Sequence, residues 1–170
     1  IKEAGEIIKK KNKDTVFHVD AIQAYGKLPI VPKNLKIDLL SMSGHKIHGP
    51  KGVGFLYVRE GTKIQPLIYG GGQQKGMRSG TENVPGIAGL GCACRQMIGD
   101  HFENAEKIRT VKEYFQERIK EIEDIRDNSG EAPHIASISF GGIRSEVLLH
   151  ALEDKEIYVS SGSACSSNKR

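Results

Sequence analysis

Apolar and polar positions follow two periods along the chain. In residues 1–12, Ile1, Ala4, Ile7 and Ile8 recur at helical spacing and predict the end of a helix. Residues 15–19 (TVFHV) are β-branched and aromatic, which predicts a strand. Residues 37–42 (IDLLSM) predict a second strand, and their near-continuous apolar run predicts burial on both faces, as in a parallel sheet. Residues 53–58 (VGFLYV) predict a third, and glycine-rich loops occupy 44–54 and 70–80. A small-residue helix is expected over 85–97. A second helix, over 101–124, places Phe102, Ala105, Ile108, Val111, Phe115, Ile119 and Ile122 on one face to be buried. Residues 135–140 (IASISF) alternate like a half-buried strand, and Ser145 is placed to cap a short helix through Leu152. A last strand, 157–160, runs into the serine-rich SSGSACSSNK.

This order of strands and helices implies an α/β fold. Residues 1–95 read as part of a large domain and 96–170 as part of a smaller one, neither complete. The ends agree: Ile1 opens inside an amphipathic pattern without a capping residue, and Lys169-Arg170 follows directly on the serine-rich loop, so both ends read as cut.

With 170 residues, 38% hydrophobic and 27% charged, the composition is that of a soluble globular protein, and no apolar run is long enough to span a bilayer. The net charge of +4 is mild. Lys9, Lys10, Lys11 and Lys13 read as a solvated helix end suited to the helix dipole. No aromatic residues alternate with them as nucleic-acid stacking platforms would. Three cysteines, Cys92, Cys94 and Cys165, form no disulfide framework and fit a reducing cytoplasm. Cys92 and Cys94 read as buried helix residues. Two positions apart, they do not share a face, so no metal pair is expected there.

Two loops carry candidate chemistry. In HVDAIQAYGK (18–27), Asp20 ends the first strand and Gln23 follows in the loop. A carboxylate there can pair with a cationic ring nitrogen and an amide can bond a phenolate-type oxygen; a turn-capping aspartate is the plainer alternative. In SMSGHKIHGPKG (41–52), Ser43 and His45 can donate to an anion and Lys46 can form an imine with an aldehyde; a basic surface loop is the alternative. Residues Gly44–Lys51 mimic a phosphate-binding nucleotide loop. Pro50 before the lysine, no Ser or Thr after it and a following strand argue against that reading.

Four segments in order, HVDAIQAYGKLPI, SGHKIHGPKGVG, GGGQQKGMRSGT and SSGSACSS, resemble the class-V aminotransferase type of pyridoxal 5′-phosphate enzymes. More narrowly they are similar to the cysteine desulfurases of iron–sulfur cluster assembly, of which this chain looks like a C-terminal piece. The resemblance implies that Lys46 holds pyridoxal phosphate as an imine and that Asp20 faces the ring nitrogen. Gln23 bonds the ring hydroxyl oxygen, and Ser43 and His45 bind the phosphate. Thr81 reaches the phosphate of the neighbouring subunit in a homodimer. Cys165 takes the sulfur of L-cysteine as a persulfide, leaving alanine, and passes it to an acceptor such as a cluster scaffold or a thiolation enzyme. Family members are more than twice this length. The upstream residues that stack on the ring and the downstream arginine that clamps the substrate carboxylate are absent here. This chain alone is therefore expected to be inactive; a non-catalytic, self-associating fragment and a selenocysteine lyase or other enzyme of the same type stay open as alternatives.

Overall fold

The computed structural model describes residues 1–162. It divides into two compact units, Ile1–Lys107 and Ile108–Arg170, with the division falling inside a helix.

In the first unit, α1 (Lys2–Lys11) leads to β1 (His18–Asp20), β2 (Leu39–Ser43) and β3 (Gly54–Val58), hydrogen-bonded in the order β1-β2-β3. β1 and β2 are parallel, with Asp20 opposite Ser41, and β2 and β3 are antiparallel, with Ser43 opposite Gly54. The α/β architecture is the one the element order implies. β2, however, is not buried on both faces: Leu40 and Met42 are buried, and Leu39, Ser41 and Ser43 alternate with them, half-buried. The two serines make the opposite face polar, which breaks the pattern of a doubly covered strand.

β1 starts at His18 rather than Thr15, and Phe17, just before it, ties the strand to its neighbour. Its N–H donates to the Asp38 carboxylate (2.7 Å), and its carbonyl accepts from the backbone N–H groups of Asp38 and Leu39 (2.9 and 3.1 Å). Asp38 is 1% exposed and is the charge around which this end of the sheet is organised. Its Oδ2 also accepts from Lys9 Nζ at 2.6 Å. Its Oδ1 lies 2.7 Å from Arg59 Nη2 as an ion contact without hydrogen-bond geometry. Lys9 therefore does not belong to the solvated helix end; its ammonium also donates to the carbonyl of Thr15 (2.6 Å).

The core collects Val19, Ala21, Ile37, Leu40, Met42 and Ile47 with Leu90 and Ala93 of α2 (Val84–Ile119). Tyr25 packs edge-on against Phe55, ring centroids 5.3 Å apart. Asn83 begins α2 by accepting the Gly86 N–H on its side chain (3.1 Å). Gly89 lets the helix lie close to the loop after β2: a methyl group there would come within 2.7 Å of Pro50 Cγ. The two helices expected over 85–97 and 101–124 form this one helix. Glycine inside a helix costs about 1 kcal/mol against alanine, too little to break it at Gly99.

The second unit holds the end of α2, an antiparallel pair β4 (Ile125–Asp127) and β5 (Ile138–Phe140), and α3 (Ser145–Glu153). β4 has a single apolar residue and gives no strand pattern. Lys112 supports the connection between the strands by donating to the carbonyls of Gly130 and Ala132 (2.7 and 2.9 Å). Arg144, not Ser145, stands at the N-cap of α3, without a side-chain cap bond. Residues 157–160 form no strand, and Ile157, Tyr158 and Val159 are half or more exposed; a strand needs a partner, and none is offered among the described residues. Of the expected apolar stripe, Ile119 is buried while Ile108, Val111 and Phe115 are exposed. Strands of three residues are too short to cover several helical turns.

The Asp38 carboxyl is subject to opposing influences. Burial alone raises its pKa, but the Lys9 hydrogen bond, the Phe17 N–H and the charges of Lys9 and Arg59 outweigh burial and hold it below the ordinary carboxylate value. A depressed native pKa contributes stability that is present above the unfolded value, near 4, and lost as pH falls through the native one. Equilibrium unfolding of the chain should therefore show stability falling with pH below about 4. Asp38→Asn should flatten that acid limb and lower stability at neutral pH by roughly 3–5 kcal/mol, the cost of leaving a buried partner unpaired. An unchanged acid limb in the variant would remove Asp38 from this role.

Candidate active site

Parallel pairing of β1 with β2 puts the carboxyl ends of both strands at one edge of the sheet, the position at which α/β sheets bind ligands. The register continues one residue beyond β1, where the Ala21 N–H donates to the Ser41 carbonyl (3.0 Å). Val19 faces the core. His18 and Asp20 lie on the other face with Ser41 and Ser43, and His18 Nε2 is 3.1 Å from Ser41 Oγ. This face carries a carboxylate, an imidazole and two hydroxyls over two adjacent strands.

Asp20 is exposed, and its Oδ1 accepts the Ile22 N–H (2.9 Å). That is the turn-capping geometry, and it leaves Oδ2 for other work. Gln23 is exposed in the same turn. Ser43 Oγ is hydrogen-bonded to His45 Nδ1 at 2.8 Å. His45 and Lys46 lie on a 3₁₀ turn, Gly44–Ile47, which closes at His48 in the left-handed region (φ 64°). The His48 and Gly49 N–H groups both turn back to the Gly44 carbonyl. Lys46 is half-buried. The structure thus brings Asp20, Gln23, Ser43, His45 and Lys46 to one sheet edge.

Thr81 is exposed in the loop before α2. That loop is folded on itself: buried Ser79 donates to the Gly71 carbonyl (2.7 Å) and the Gly80 N–H to Gln73 Oε1 (3.2 Å). Cys165, like every residue from Ser163 onward, lies outside the described residues. Cys92 is exposed, contrary to the expectation of burial. Cys94 is half-buried against the core, with Tyr25 Oη 4.0 Å from its sulfur. Burial first, and Cys94 second, push the Tyr25 hydroxyl above the ordinary tyrosine pKa.

One contributor goes unnoticed in the sequence. Lys27, from the loop that follows Asp20 and Gln23, donates its ammonium to the Lys46 carbonyl at 2.9 Å. Burial, and then the charge of Lys46, lower its pKa from the ordinary lysine value. The signal available in the sequence was Pro50, which deprives the Lys46 carbonyl of a helical donor four residues on.

Together these groups offer an amine, a carboxylate, a side-chain amide and a hydroxyl–imidazole pair. That donor set fits a phosphorylated aromatic aldehyde whose ring is cationic.

A family model described as aminotransferase class-V matches residues 1–170. The chain is 46% identical over 173 residues to the cysteine desulfurase IscS of Clostridium botulinum (strain Hall), covering 98% of this chain and 43% of that protein. It is 44% identical over 173 residues to the cysteine desulfurase of Nostoc sp. (strain PCC 7120), covering 98% and 42%. The fold is similar to the crystal structure of a NifS-like protein from Rickettsia africae, with a TM-score of 0.84 at 36% identity, covering 95% of this chain and 45% of that one. The chain spans less than half the length of these curated relatives.

Thiol labelling resolved by peptide mapping should modify Cys92 at least about tenfold faster than Cys94, since reaction requires an accessible thiolate. Equal rates would contradict the packing of Cys94 against Tyr25.

Proposed function

The chain belongs to the aminotransferase class-V family, and on that premise we propose that the protein is a cysteine desulfurase, which takes the sulfur of L-cysteine onto Cys165 and releases L-alanine. The observation that carries this reading is the meeting of Asp20 and Gln23 at the end of β1 with Ser43, His45 and Lys46 after the adjacent, parallel β2. Lys46 would hold pyridoxal 5′-phosphate through its amine. The cofactor, when bound, supplies an electron sink for the bonds at the substrate's α-carbon.

The chain's own residues then have separable tasks. The Asp20 carboxylate, with Oδ1 fixed by the Ile22 N–H, would stand as a stationary anion that keeps a ring nitrogen protonated. Gln23 would bond the ring hydroxyl oxygen. The Ser43 hydroxyl and His45 imidazole, already hydrogen-bonded, would take the phosphate. Thr81 would serve the phosphate of a second subunit, making the homodimer part of the site. Cys165 would act as a thiolate: a sulfur–sulfur bond forms on it as the substrate's carbon–sulfur bond breaks, and the carbon left behind is protonated to alanine. A persulfide held on the SSGSACSSNK segment suits delivery to a sulfur-accepting protein, such as a cluster scaffold or a thiolation enzyme. No helix among the described residues is long and apolar enough to cross a membrane, and the cysteine usage suits a reducing cytoplasm.

The test uses a full-length protein that carries this sequence, supplied with pyridoxal phosphate and L-cysteine. Alanine should appear together with a persulfide mapped by mass spectrometry to Cys165. Cys165→Ser should abolish the persulfide while the visible cofactor band remains. Cys92→Ser and Cys94→Ser should retain persulfide formation. Normal sulfide release by Cys165→Ser would show that the sulfur takes another route.

A further inference from the structure

The carbonyl of Lys46 has a problem that the backbone cannot solve. At the end of a 3₁₀ or α turn the last carbonyls lack donors, and the candidates lie three and four residues on. For Lys46 these are Gly49, whose N–H is taken by the Gly44 carbonyl, and Pro50, which has no N–H. The donor comes instead from a different loop, as the Lys27 ammonium at 2.9 Å. Lys27 is itself held in place. Its N–H and that of Leu28 both donate to the Ala24 carbonyl (3.0 and 2.9 Å), and Gly26 at φ 76° makes the turn that presents it.

We propose that Lys27 is a positioning residue, the tie that sets the loop bearing Asp20 and Gln23 against the turn bearing Lys46. The inference rests on the reading of Lys46 as the cofactor lysine and adds a residue to it. Without the tie each loop keeps its own internal hydrogen bonds, and the β1–β2 ladder still ends on its last rung, from Ala21 N–H to the Ser41 carbonyl, but the direct bond from the Asp20 loop to the Lys46 carbonyl is lost. A reacting amine misplaced by about 1 Å loses on the order of 100-fold in rate, so a contact of this kind acts on reaction geometry before it acts on folding. The partial burial that lowers the Lys27 pKa also makes the bond stronger than a solvated one, since a charged donor to a half-buried carbonyl competes with less water.

The experiment compares wild type, Lys27→Met and Lys27→Arg in a full-length protein carrying this sequence. Apoprotein is mixed with pyridoxal 5′-phosphate, the visible band is followed in time, and the product is trapped with borohydride and mapped. Far-ultraviolet circular dichroism and the melting temperature are recorded for each variant. Wild type should carry the pyridoxyl group on Lys46. Lys27→Met should acquire it at least about tenfold more slowly, the loss expected for removing a charged donor from a half-buried acceptor. Lys27→Arg, which keeps a charged donor, should recover most of the rate, with melting temperatures close to wild type in both variants. If wild type carries no pyridoxyl group on Lys46, the cofactor-lysine reading fails and this inference with it. If wild type is labelled there and Lys27→Met reacts as fast, only the role of Lys27 is overturned. A slow Lys27→Met that arginine does not rescue, accompanied by a lowered melting temperature, would make Lys27 a structural residue and equally overturn the proposal.

Discussion

A single buried carboxylate holds together the end of the sheet remote from the candidate site. Asp38 joins the last turn of α1 through Lys9, the entry to β1 through the Phe17 N–H, and the exit from β3 through Arg59. Its own backbone continues the pattern, accepting the Arg59 N–H on its carbonyl at 2.8 Å. Burying one charge is expensive unless it is paired and hydrogen-bonded. Here the pairing draws on three separate elements, so the charge is tolerable only when all three are assembled. The register of β1 against β2 follows from this anchor, and the positions of Asp20 and Ser41 follow from the register.

At the opposite end β2 finishes in a glycine-rich loop in which Pro50 offers no N–H to the Lys46 carbonyl. Gly44 and the left-handed His48 allow a tight turn, and Pro50 rests against Gly89 of α2. Lys27 then closes the gap left at the Lys46 carbonyl. The resulting edge is buried where it meets the core, at Ile47 and Leu90, and polar where it faces outward, at His18, Asp20, Ser43 and His45. Buried support behind an exposed polar edge is what a preorganised binding wall requires.

Much of this was legible in the sequence because it is local. β-branched runs gave the three strands of the first unit, and a carboxylate, a hydroxyl–imidazole pair and a lysine at two strand ends marked the edge. What was illegible depends on partners distant in sequence. Nothing about Lys9 distinguishes it from Lys10 or Lys11 until Asp38, 29 residues away, is placed beside it. β4 exists because β5 pairs with it, not because Ile125-Arg126-Asp127 has a strand pattern. The stretch 157–160 has the pattern without a partner among the described residues and forms no strand. Cys92 and Cys94 show the same limit, since small neighbours predict close packing but not on which side of the helix it falls.

We propose that the ends of β1 and β2 form one wall for a ring and its phosphate. It is tested most directly by nuclear magnetic resonance on the uniformly ¹⁵N-labelled 170-residue chain, titrated with pyridoxine 5′-phosphate. This ligand carries ring and phosphate but no aldehyde, so scattered lysines cannot capture it covalently. Amide shift changes should concentrate at Asp20, Gln23, Ser43, His45 and Lys46, even where binding is weak. Changes confined to other residues, or spread evenly over the lysines of α1 and the loops, would contradict it.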